Sequence, residues 1–101
     1  MYATVRRAAF HPGTMSEVIQ RVKDTFVPAV TTMPGYVDFY LVNLGNDVVS
    51  TMSIFETQAE AEAANSFFSS WAKRELTSFL QSPPELALGE IAIHTSTPNL
   101  R

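Results

Sequence analysis

Arg6 and Arg7 are neighbours in a run, Tyr2 to Phe10, of β-branched, aromatic and small residues. Neighbours on a strand point to opposite faces, so one guanidinium is directed towards an interior or an interface, where an unpaired charge is costly. Its partner is either a carboxylate such as Asp38 or Glu90, or an anionic ligand. Tyr36 and Tyr40, four residues apart in a second strand-like run, are expected on one strand face. There they pack at an interface, where Tyr is enriched, or bring a phenol to a substrate oxygen. Trp71 falls at helical spacing with Ala64 and Phe68. It is a core aromatic or the wall of a pocket that stacks a planar molecule and offers an indole N–H. Asn65 sits mid-helix, either exposed and without a role or inward, where its amide can hold an ionised oxygen. His94 ends the last strand-like run as an edge residue or as a proton acceptor near neutral pH. His11, before Pro12, reads as a loop residue.

Composition removes several kinds of chemistry. The chain of 101 residues has no Cys, hence no disulfide, thiolate nucleophile or Cys-ligated metal cluster. Two His do not by themselves close a metal site. The net charge is −3, and the basic residues stand in separate pairs rather than in the clustered footprint that nucleic acid needs. Glu56 and Glu90 show no paired arrangement, and there is no Gly-rich phosphate loop or nucleophile triad. The first residues lack the charged and apolar regions of a signal peptide, and no apolar run approaches a membrane span. The expected setting is a soluble, cytoplasmic protein without nucleic-acid or membrane partners.

The elements that must position these residues occur twice. Thr14-Met15-Ser16-Glu17 and Thr57-Gln58-Ala59-Glu60 each have the form of a capping box. The first helix carries Met15, Val18, Ile19, Val22, Phe26 and Val30 on one stripe. Pro28 lies inside that pattern and predicts a kink or break near Phe26–Val27. Val37, Phe39 and Leu41 alternate with Tyr36, Asp38, Tyr40 and Val42. Gly45-Asn46-Asp47 then turns the chain into a hairpin partner, Val48 to Glu56. The second helix buries Ala61, Ala64, Phe68, Trp71, Leu76 and Phe79, and Leu86 to His94 reads as the last strand. The order β-α-β-β-α-β is the ferredoxin-like α+β plan: a four-stranded antiparallel sheet with two helices on one face. Residues 1–95 are expected to form one domain and 96–101 a mobile tail. Strands two and three are apolar on both faces, and helices cover only one. A homodimer with its two sheets face to face is therefore expected.

Phe10-His11-Pro12-Gly13-Thr14, Phe26-Val27-Pro28-Ala29-Val30, Met33-Pro34-Gly35-Tyr36 and Ser53-Ile54-Phe55-Glu56, with Trp71 in the second helix, resemble the antibiotic biosynthesis monooxygenase domain of the dimeric α/β-barrel superfamily. The resemblance runs from about residue 2 to 94. It implies one of two activities. The first is cofactor-free oxidation of a flat quinol or anthrone, in which Asn65 and Trp71 are the catalytic residues and Tyr36, Tyr40, Arg6, Phe68 and His94 contact the substrate. Asn65 and Trp71 are six residues apart, about 120° around a helix. The second is haem degradation. It is disfavoured, because the first-strand Asn of that branch is Arg6 here and no His lies between Trp71 and His94. The expectation is thus a monooxygenase-like protein without cofactor or metal. It binds a small aromatic ligand in a cavity of roughly 300 Å³ or more. The alternative is a non-catalytic dimeric binding or structural module, marked by a filled interior with Trp71 packed on all sides.

Overall fold

A computed structural model describes residues 1–96. Most of the expected tail, 97–101, lies outside the described residues. The strands are β1 (Tyr2–Ala9), β2 (Tyr36–Gly45), β3 (Val48–Phe55) and β4 (Glu85–Glu90). They form one sheet in the order β2-β3-β1-β4, every pair antiparallel. The helical runs are α1 (Met15–Arg21), a π-helical turn (Val22–Phe26), α2 (Val27–Val30) and α3 (Gln58–Glu75). This is the ferredoxin-like α+β arrangement.

The two capping boxes have different fates. Thr57 is extended, its hydroxyl accepts from the Glu60 N–H, and the Glu60 carboxylate accepts from the Thr57 N–H. Thr14 instead adopts helical dihedrals, and its hydroxyl donates to the His11 carbonyl at 2.7 Å. Glu17, expected to reach back to Thr14, pairs with Arg21 at 3.2 Å. The His11-Pro12-Gly13 turn offers Thr14 a local acceptor that competes with the cap.

Nor does Pro28 break its helix. A proline clashes with the carbonyl four residues earlier. The chain absorbs this by widening the preceding turn, so the Val27 N–H donates to the Val22 carbonyl five residues back. The wide turn presents the Thr25 hydroxyl to α3.

The hairpin turn places Asn46 and Asp47 at φ of 54° and 63°, the geometry of a two-residue primed turn. Upstream, a bulge at Val37 separates the pairs Tyr36↔Phe55 and Asp38↔Ile54. One extra residue moves the alternation to the other face. Tyr36 therefore sits with Phe39 and Leu41 on the helix-covered side, while Asp38, Tyr40 and Val42 face away. The expected shared face of Tyr36 and Tyr40 does not form.

The last strand is also shorter than expected. Strand β4 pairs only with β1, whose first residue, Tyr2, lies opposite Glu90. One further bond, Ile91 N–H to the Met1 carbonyl, closes the ladder. His94 lies past the end of the available partner.

The core lies between the helices and the covered sheet face. Phe26 is its hub, with ring centroids 5.3 Å from Phe39, 5.8 Å from Phe67, 5.6 Å from Phe68 and 5.1 Å from Trp71. Among the described residues no helix is long and apolar enough to cross a membrane.

Candidate functional site

Strand register puts Thr4, Arg6 and Ala8 of β1 beside Ser53, Thr51 and Val49 of β3. Phe55 and Val49 belong to the core, so this whole set points under the helices. Arg6 is the inward member of the arginine pair and is 2% exposed; Arg7 faces solvent. Its Nη1 donates to Ser53 Oγ at 3.0 Å and to Thr51 Oγ1 at 3.4 Å. The guanidinium carbon lies 4.0 Å from the Phe68 ring centroid, a cation–π contact. The Nε and Nη2 groups are buried and have no hydrogen-bond partner among the described residues.

The expected ion pair is absent. Asp38 is on the other sheet face. Glu90 lies opposite Tyr2, four residues down the strand and roughly 13 Å away. Among the described residues the ion pairs are Arg21 with Glu17 and with Glu75. Burial lowers the Arg6 pKa to about 10, which still leaves a cation at neutral pH.

Arg6 lines a small, partly open cavity with Phe10, Val22, Val49, Phe68 and Leu80. Its volume is about 30 Å³, the share of one water molecule and far below the expected 300 Å³. Beyond Phe68, Leu80 and Pro84, which border both spaces, an open groove of about 250 Å³ runs past Ala72, Lys73 and Leu86.

The other expected site residues are dispersed. Trp71 is 1% exposed, and its indole N–H donates to Thr25 Oγ1 at 2.7 Å. It backs Phe68 at 5.9 Å rather than lining the cavity. The Asn65 side-chain oxygen is buried without a partner, one helical turn before Phe68. Tyr36 packs edge-on against Phe55, with centroids 6.0 Å apart. Burial first, then the charges of Asp38 and Tyr40, raise its pKa, so its phenol is a donor and not a base at neutral pH. Tyr40 is 52% exposed on the opposite face, and His94 is exposed. Of the expected contacts, the fold joins Arg6 to Phe68 and leaves the rest apart.

Sequence reasoning did not single out Thr51 and Ser53. Their signal was present: hydroxyls two residues apart, between Val49 and Phe55 on the buried face of a strand. A hydroxyl in that position needs a partner. The segment carrying Leu80 and Pro84, which closes the cavity, had no comparable signal.

The fold has counterparts among solved structures. No family model and no curated protein matches the chain by sequence, but solved structures match it in fold. A Nitrosomonas europaea protein of unknown function superposes with a TM-score of 0.81 at 15% identity, over 95% of this chain and 93% of that one. A candidate antibiotic biosynthesis monooxygenase from Bordetella bronchiseptica gives 0.74 at 13% identity, over 91% and 97%. A mutant of MhuD, with two manganese protoporphyrin IX bound per active site, gives 0.75 at 15% identity, over 96% and 100%. The chain thus has the fold of the antibiotic biosynthesis monooxygenase structures.

Proposed function

We propose that this domain is a cofactor-independent, monooxygenase-like protein. It takes a flat hydroxylated aromatic, of the quinol or anthrone kind, between helices and sheet and works as a homodimer. The observation that carries the reading is Arg6, a buried cation with two free donors and no carboxylate inside an apolar layer. A fixed positive charge of this kind favours the ionised form of a neighbouring hydroxyl or enol and stabilises the anion without solvent reorganisation. The substrate loses a proton to water, and its carbanion carbon adds molecular oxygen. One oxygen atom remains on carbon as a new carbonyl, and the other leaves as water with the second C–H hydrogen and the returning proton.

In this proposal Arg6 and Phe68 form the binding centre. Trp71 supports Phe68 from behind. A haem-dependent reaction is disfavoured on residue grounds. The MhuD structure holds porphyrin, but here the two His, His11 and His94, are both exposed and neither lines the layer.

Oxygen uptake by the purified protein over anthrones and naphthoquinols tests the reading. Arg6→Met should lower the rate at least tenfold while the fold, read by circular dichroism, persists. No uptake above background over the panel would defeat it. The second reading, a dimeric binding module without turnover, is favoured by the small cavity volume and the close packing of Trp71. It predicts ligand-induced stabilisation with no oxygen consumed.

A further inference from the structure

The free donors of Arg6 are Nε and Nη2. These two nitrogens lie on one edge of the guanidinium, and their N–H bonds run parallel. That edge matches the two oxygens of a carboxylate and gives a bidentate pair. The opposite nitrogen, Nη1, is engaged by Ser53 and Thr51, and one ring face by Phe68. Three constraints thus fix the plane of the guanidinium and leave one fork vacant. A lone phenolate oxygen would engage that fork incompletely, and among the described residues no acidic side chain lies within ion-pair distance to fill it.

We propose that Arg6 is the receptor for a carboxylate carried on a flat apolar body, so that the ligand of this domain is an aromatic acid. In this proposal the carboxylate reaches the Nε–Nη2 edge by way of the small cavity that Arg6 borders, and the aromatic body lies in the groove past Ala72, Leu80 and Leu86. The partition between them is made of side chains of Phe68, Leu80 and Pro84, so the two spaces join when these side chains shift. Lys73 at the groove adds positive charge at the entrance. The inference rests on the reading of Arg6 as a ligand-facing cation and narrows the substrate to a hydroxylated aromatic carboxylic acid.

Calorimetric titration with 2-naphthoate and with 2-naphthol separates the alternatives. The two probes share a ring system and differ in the two-oxygen anion. The wild type should bind 2-naphthoate at least tenfold more tightly than 2-naphthol. Arg6→Lys keeps the charge but loses the fork, and should weaken 2-naphthoate binding tenfold or more. Arg6→Met should abolish the preference for the acid. Equal affinities for the two probes, no detectable binding of either, or unchanged affinity in folded Arg6→Lys would each overturn the proposal. So would a crystal structure in which water alone occupies Nε and Nη2 after soaking with 2-naphthoate. The oxidation reading fails separately. Anthrone turnover without 2-naphthoate affinity sinks only the carboxylate inference, whereas 2-naphthoate binding without turnover of any quinol or anthrone sinks only the oxidation.

Discussion

Arg6 has to be bought with stability gained elsewhere in the fold. Burial pulls its pKa down to about 10, a difference on the order of 3 kcal/mol against the charged folded state. Below pH 10 the group is protonated in both folded and unfolded chains, so the penalty is constant through the neutral range. Above that the unfolded chain binds the proton more tightly than the folded one, and stability is regained as pH rises from about 10 towards the ordinary arginine range. Arg6→Met removes the charge while keeping a long side chain. It also strips the Ser53 and Thr51 hydroxyls of their donor, a loss of about 1 kcal/mol each. The net expectation in urea unfolding at pH 7 is a gain of about 1–3 kcal/mol, equal at pH 6 and pH 9. A variant less stable than wild type would mean that the charge is already satisfied in the free protein. A buried cation that destabilises the fold and keeps two donors, Nε and Nη2, without a partner is what a binding site requires and a packing role does not.

At the scale of elements, one motif placed twice gives a direct comparison. Thr57 closes both bonds of its capping box, and Thr57→Ala should cost about 1 kcal/mol. Thr14 makes no cap bond, and Thr14→Ala should stay within about 0.5 kcal/mol of wild type. Thermal unfolding of the two variants checks the contrast, and equal losses would refute it. The contrast also shows which parts of the fold can be read from sequence. Element order, hairpin and helix stripes follow from periods of 3.6 and 2 that recur along each segment. The cap of α1 depends on whether the preceding turn offers a competing acceptor. The face of Tyr36 depends on one unpaired residue, Val37, in the ladder with β3, and a bulge leaves no mark in the alternation itself. For the site, the alternation on β1 already sends Arg6 or Arg7 inward. The register against β3 and β4 then decides that Arg6 meets hydroxyls and not Asp38 or Glu90. Pairing between distant strands is set by the assembled sheet, so the vacancy beside Arg6 was hidden where its inward direction was not.

Among the described residues, one sheet face has no helix over it. Strand register aligns Tyr40, Met52, Val5 and Ala87 as successive neighbours across all four strands. Tyr40 is 52% and Val5 39% exposed, with Val42 beside them at 50%. An apolar band spanning a sheet calls for a cover, and a twofold partner lays the same band against itself. The expected outcome in light scattering at micromolar concentration is twice the chain mass. Val5→Glu places a charge near the band's centre and, through the twofold, a second like charge close to the first. It should shift the protein to single chains with an unchanged circular dichroism spectrum. A wild type that scatters as a single chain would remove the dimer. The same substitution separates assembly from binding, because β1 alternates between the two roles. Val5 lies on the bare face, and Arg6, the next residue, lies under the helices. The contacts around Arg6, from Thr51, Ser53 and Phe68, lie on the helix-covered side of the sheet, opposite Val5. The Val5→Glu chain should therefore keep its affinity for 2-naphthoate within about threefold of wild type. A tenfold or greater loss in a folded monomer would mean that the partner chain shapes the groove, and that the ligand site belongs to the pair of chains and not to one.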